Sequence, residues 1–152
     1  MARERSVRPS TRAPRPDFRD LGLVAVVALG GAAGTGARVG IGNLLPGTGS
    51  PPIAVVLINL SGAFLLGWLL ARLRVPGTES RARRAIRLGI GTGVLGGYTT
   101  YSAFAVGADG ALTMSDPLPG AALSLLTVAG GVLVAWCGSV VARLRREEEK
   151  ER

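Results

Sequence analysis

Four stretches of this chain, 21–37, 39–71, 88–108 and 117–142, contain no charged residue. Each is long enough to consider as a membrane crossing, which takes roughly 20 predominantly apolar residues. The second run is interrupted by Asn43-Leu44-Leu45-Pro46-Gly47-Thr48-Gly49-Ser50-Pro51-Pro52, a turn-like composition, so its apolar helix begins near Ile53. The spacing predicts spans at about 21–42, 53–72, 87–108 and 118–142. With 152 residues, 47% of them hydrophobic and a mean hydropathy of +0.35, this is one all-α membrane domain, 21–142, between two tails.

The third run is the least helix-like. It contains Gly96-Gly97-Tyr98-Thr99-Thr100-Tyr101-Ser102-Ala103-Phe104. Glycine and β-branched threonine are weak helix formers, and freed backbone groups need partners in hydrocarbon. A break at membrane depth commonly builds an ion or substrate site. The third helix is therefore expected to break near its middle. If helix resumes afterwards, Tyr101 and Phe104 share a face, where electropositive ring edges either pack in a core or line an anion path.

Charge and composition exclude other classes. The net charge is +8, but the arginines flank the spans, which speaks for membrane topology rather than a nucleic-acid surface. Residues 1–20 hold six arginines and several prolines and read as a disordered tail. The alternative is a signal-peptide n-region with its apolar segment at 21–33. Residues 143–152 form a mixed-charge tail, a solvated helix end. The lone Cys137 has no intrachain partner, and the chain has no His. Asp109 and Asp116 fall in a connection, and no span contains an acid. No catalytic triad, zinc set or phosphate loop is present, so an enzyme is not expected. Gly91-Thr92-Gly93-Val94-Leu95-Gly96 matches a dinucleotide fingerprint by letter but lacks the preceding strand and the βαβ unit. Gly89, Gly93 and Gly97, like Gly30/Gly34 and Gly36/Gly40, have the spacing of helix-packing seams.

The remaining polar residues have two readings each. Asn59, in Asn59-Leu60-Ser61-Gly62-Ala63-Phe64-Leu65-Leu66-Gly67, is interhelical glue or an amide donor to an anion. Arg38, in Gly34-Thr35-Gly36-Ala37-Arg38, is a snorkelling anchor or an attractor of anions into a vestibule. Ser124, Thr127, Gly131 and Gly138 share one face of the fourth span, as a packing seam or a hydroxyl track.

The three motifs, in order on three successive spans, resemble the CrcB/Fluc family of small fluoride channels, with its patterns GxxxR, NxxGxFxxG and GGxTTFSxF. The resemblance covers about 21–142. It implies an antiparallel dimer of four-helix subunits with two fluoride pathways, and passive efflux that lowers cytoplasmic fluoride. Carried over by position, the fluoride pathway comprises Asn59, Tyr101, Ser102, Phe104, Ser124 and Thr127, with Arg38 at the vestibule. A structural, untransported Na⁺ is implied on the backbone carbonyls of Gly96 and Thr99. Tyr101 stands where the family usually has Phe, and Gly120 where an aromatic hydroxyl is usual. The competing readings are a small multidrug-type exporter and a non-conducting membrane assembly subunit. The missing intramembrane acid speaks against the exporter.

Four spans place both tails and the 72–87 connection on one side. All the basic residues but Arg38 lie there, a bias that puts both termini in the cytoplasm of a multi-pass protein of the cell membrane. One sequence inserting in both orientations calls for balanced charge. A homologous partner of opposite bias, giving a heterodimer, is therefore expected.

Overall fold

A computed structural model of the chain describes residues 20–44, 53–74, 77–101 and 118–152, with backbone alone at 53 and 118–124. The expected N-terminal tail up to residue 19, the turn-like connection at 45–52 and the acids Asp109 and Asp116 lie outside the described residues.

The described residues are all-helical, without strands. Helix α1 (Leu21–Leu44) is followed by α2 (Ile53–Leu73) and a short α3 (Arg81–Ile86). This continues without interruption into a π-helical stretch (Arg87–Leu95) and α4 (Gly96–Tyr98). The last helix, α5, runs over Leu118–Glu151. Three of these, α1, α2 and α5, are long and apolar enough to cross a membrane. The third expected span differs in outline. Helix begins at Arg81, inside the charged connection, and stops at Tyr98, and 102–108 lie outside the described residues. The early start has a local cause: Ser80 adopts an extended conformation and its Oγ accepts the Arg83 N–H at 3.3 Å, an N-cap. Asp20 caps α1 likewise, its Oδ1 accepting the N–H groups of Gly22 at 3.0 Å and Leu23 at 3.4 Å. At 34 residues α5 is roughly 50 Å long, more than a hydrocarbon core needs, so its charged end projects beyond.

Ion pairs gather the helix ends. Arg81 meets Asp20 at 3.0 Å, joining the starts of α1 and α3. Arg72 meets Glu149 at 2.8 Å and also lies over the Trp68 ring, and Arg146 donates to the carbonyls of Arg72 and Arg74. These contacts join the ends of α2 and α5. With Arg87 on Glu79 at 2.8 Å, between the end of α2 and the third helical run, one end of the bundle is charged, and among the described residues the rest is neutral apart from Arg38.

Glycines set the helix spacing along two seams. In the first, a Cβ on Gly34 would strike the Val94 carbonyl, and one on Gly97 would strike the Gly31 carbonyl. A Cβ on Gly93 would lie 2.8 Å from the Val27 carbonyl. This seam joins α1 to the π-helical stretch and α4, and it includes Gly30 and Gly89, as their spacing implies. In the second seam, Gly67 of α2 abuts the Ala135 carbonyl, and Gly138 of α5 abuts the Phe64 carbonyl. Gly36, Gly40 and Gly131, also expected at close approaches, meet nothing within 4 Å among the described residues. The GxGxxG match at 91–96 lies wholly in the helical run.

Little apolar surface is covered. Among the described residues only Leu23, Ala54, Ile58, Leu69, Leu95 and Ala142 are buried hydrophobics. Leu125, Leu126, Val132, Leu133 and Trp136 of α5 are each more than 60% exposed. An apolar surface that extensive belongs against lipid or another chain.

Candidate functional site

The site is built where the third helical run ends. Tyr98 is the last helical residue, and Thr99 is extended, with φ −77° and ψ 157°. Asn59, on α2, stops the helix. Thr100 would continue it by giving its N–H to the Gly96 carbonyl four residues back. That N–H instead goes to Asn59 Oδ1 at 2.9 Å. Asn59 Nδ2 in turn donates to the Thr100 carbonyl at 3.0 Å. The amide thus pairs with both sides of one residue's backbone, as a neighbouring strand would.

The turn before it is held from three directions. Thr99 closes on Leu95, whose carbonyl accepts both the Thr99 N–H at 3.0 Å and its Oγ1 at 2.8 Å. Arg38 Nε reaches the Gly97 carbonyl at 3.2 Å, and Thr35 Oγ1 the same oxygen at 3.4 Å. On the α2 side, the hydroxyls of Ser61 and Tyr98 lie 3.0 Å apart, and Gly62 leaves room for Thr99 Cγ2 and the Tyr98 ring. So Arg38, read from sequence as an anchor or an anion attractor, is half-buried and directed at a backbone carbonyl.

A cavity of about 400 Å³ opens at this point. Asn59, Gly96, Thr99, Thr100, Tyr101 and Thr127 all line it, bringing residues of α2, α4 and its following turn, and α5 together. Among the described residues, no charged side chain lines it. The expected residues Asn59, Tyr101, Thr127, Gly96 and Thr99 therefore share one wall system, and Arg38 stands behind it on Gly97. Ser102 and Phe104 lie outside the described residues, as does the side chain of Ser124. Sequence reasoning assigned no role to Ser61, Thr35 or Tyr98. A hydroxyl within a motif was the available signal in each case.

Chemically, the cavity offers neutral donors and acceptors. One Asn59 N–H is committed to Thr100, and the amide has a second. Threonine and tyrosine hydroxyls complete the polar set. Neutral donors can replace an anion's hydration without trapping it. Cation chemistry here would have to use neutral oxygens, since no cluster of His, Cys, Asp or Glu able to hold a metal occurs among the described residues. Two facts bear on whether carbonyls here could serve a hard cation. Gly96 has lost its helical N–H donor to Asn59, and Thr99 has left the helical conformation.

Known proteins resemble this chain over most of its length. The family model described as "CrcB-like protein, Camphor Resistance (CrcB)" matches residues 25–139. "Fluoride-specific ion channel FluC 2" of Leifsonia xyli subsp. xyli is 42% identical over 113 residues, 74% of this chain and 78% of that protein. "Fluoride-specific ion channel FluC 1" of Cutibacterium acnes is 44% identical over 124 residues, 81% of this chain and 85% of that protein. "Fluoride-specific ion channel FluC 2" of Moorella thermoacetica is 39% identical over 120 residues, 76% and 93% of the two chains. The family match spans most of α1 through most of α5 and takes in every residue of the cavity wall, and on this ground the chain belongs to the CrcB family.

Proposed function

We propose that this chain is a subunit of a fluoride-specific ion channel that lets fluoride leave the cytoplasm passively. The observation that carries this reading is the convergence of Asn59, the turn at 99–101 and Thr127 on one cavity whose described walls hold no fixed charge. Fluoride holds its water tightly, so a path for it must supply several donors at once. Amide and hydroxyl donors do this while leaving the ion free to depart. Asn59, Tyr101 and Thr127 supply donors at the described wall, and Ser102, Phe104 and Ser124 extend the path by their motif positions. The absence of any acid within the uncharged runs supports a channel over a proton-coupled exporter.

The working unit in this reading is an antiparallel dimer of four-span subunits, the third helix resuming beyond its interruption. Exposed apolar surface on α5 and open glycines at Gly36 and Gly40 support a second subunit. Gly96 and Thr99 from each subunit would hold a structural Na⁺ through their carbonyls. A bound Na⁺ supplies positive charge that offsets the converging carbonyl dipoles. Asn59, Arg38 and Thr35 position those carbonyls by holding Thr100 and Gly97.

The test is efflux from liposomes loaded with fluoride, read by a fluoride electrode. The complex of this chain with its homologous partner should release fluoride without a proton gradient and retain chloride. Flux that depends on a proton gradient, or no fluoride flux from any pairing, would overturn the reading.

A further inference from the structure

At the charged end of the bundle, a separate pocket of about 340 Å³ lies between the end of α2 and the start of the third helical run. Its walls are Leu70, Leu73, Arg74, Glu79, Arg83 and Arg87. We propose that it binds the phosphodiester headgroup of an anionic phospholipid. The inference rests on the chain being embedded in a membrane and is independent of fluoride conduction.

Three observations converge. First, Glu79 is already occupied. Both its oxygens accept from Arg87, Oε1 from Nε at 2.8 Å and Oε2 from Nη2 at 3.0 Å. That fork leaves the one carboxylate among the described walls neutralised and their remaining charge positive. Second, neither the Arg74 nor the Arg83 guanidinium hydrogen-bonds or ion-pairs with another described residue, although the backbone of each is anchored. The Arg83 N–H caps on Ser80, and the Arg74 carbonyl accepts Arg146 Nη1 at 2.7 Å. Two guanidiniums on anchored backbones, both lining one small space, offer the forked donors that a phosphate takes. Third, Leu70 and Leu73 are the last apolar residues of a membrane-spanning helix, and Leu70 is 42% exposed. A ligand at this depth has phosphate beside arginine and acyl chain beside leucine. A free anion has no use for the leucines, and a nucleic acid would be too large for the space.

The experiment uses the full-length protein in detergent, titrated with phosphatidylglycerol, with phosphatidylcholine, or with inorganic phosphate. Retained ligand is read by native mass spectrometry. Phosphatidylglycerol should be retained in preference to the other two. Since each basic residue near an anionic surface is worth about a fivefold change, Arg74→Gln and Arg83→Gln should each weaken retention about fivefold. The double variant should weaken it more than about tenfold. Neither guanidinium holds another described group, so the single variants should fold. The control is the pair Arg143→Gln and Arg145→Gln, which removes the same charge at the same end but outside the pocket. An equal loss in that control would reduce the effect to general surface charge and overturn the site. Equal retention of phosphatidylcholine would overturn the anionic requirement, and equal binding of inorganic phosphate would overturn the lipid.

Discussion

Asn59 holds the Thr100 peptide through both ends of its amide, so it shapes the cavity wall before any ion arrives. Asn59→Asp keeps an acceptor for the Thr100 N–H but sets a carboxylate against the Thr100 carbonyl. The lost donor should cost about 1–3 kcal/mol, and the new negative charge faces the proposed anion path. We expect a lower Tm in detergent together with fluoride flux reduced at least about tenfold in liposomes. Unchanged flux in a folded Asn59→Asp complex would remove Asn59 from the pathway. The sequence allowed both glue and ligand for this residue, and its partner was not legible there. The pairing spans 41 positions, and its acceptor is a backbone carbonyl that carries no side-chain signature. Arg38 was opaque for the same reason: its contact at Gly97 is also with main chain. Tyr101, Thr127, Gly96 and Thr99 were legible as a group because hydroxyls and glycines are conspicuous in an uncharged run.

At the level of helices, the two glycine seams allow a contrast within α1. Gly34→Ala drives a methyl into the Val94 carbonyl, which the backbone cannot easily yield, and overpacking of this kind costs about 1–3 kcal/mol. Gly36→Ala meets open space and should leave the subunit's own packing unchanged or gain about 0.5–1 kcal/mol of helix preference. Thermal unfolding of the two variants in detergent should separate them clearly. Equal destabilisation would mean that Gly36 is covered by something other than this chain's described helices. The clamp between α2 and α5 responds to pH. The Arg72 guanidinium hydrogen-bonds the Glu149 carboxyl and holds it below its ordinary 4.5, partial desolvation working the other way. A carboxyl lowered by folding stabilises the fold above its unfolded value, and this contribution is lost as pH falls through the lowered one. The Tm gap between wild type and Glu149→Gln should therefore be small but present at neutral pH and close in acid below 4.5. A gap that widens in acid would contradict the clamp. The beginnings of α1 and α2 were legible because charge or proline ends abruptly there. The start of the third run at Arg81 was not, since four arginines look like connection until Ser80 is seen to cap them. The π-helical stretch was hidden too. The four-residue spacing of Gly89, Gly93 and Gly97 suits an ordinary helix and does not mark a π-helical one.

For the whole molecule, charge and geometry agree on one axis. The ion pairs gather both ends of the 72–87 connection and the far end of α5 at one pole, where all but one of the 18 basic residues fall by sequence. With such a bias, cysteine-accessibility mapping of the chain expressed alone should find both tails on the cytoplasmic face. Fluoride flux should then require a homologous partner of the opposite bias. Tails on both faces in similar amounts, with flux from this chain alone, would instead establish a dual-topology homodimer. The π-helical stretch gives the molecule a further property, an angular offset. It takes an extra residue into each turn before α4 begins. Removing one residue from 87–95 would turn everything downstream by about 100° about the helix axis. Tyr98 would swing away from Ser61, and Thr100 away from Asn59, although the composition would scarcely change. The number of residues in this segment, more than their identity, is what aims the cavity wall.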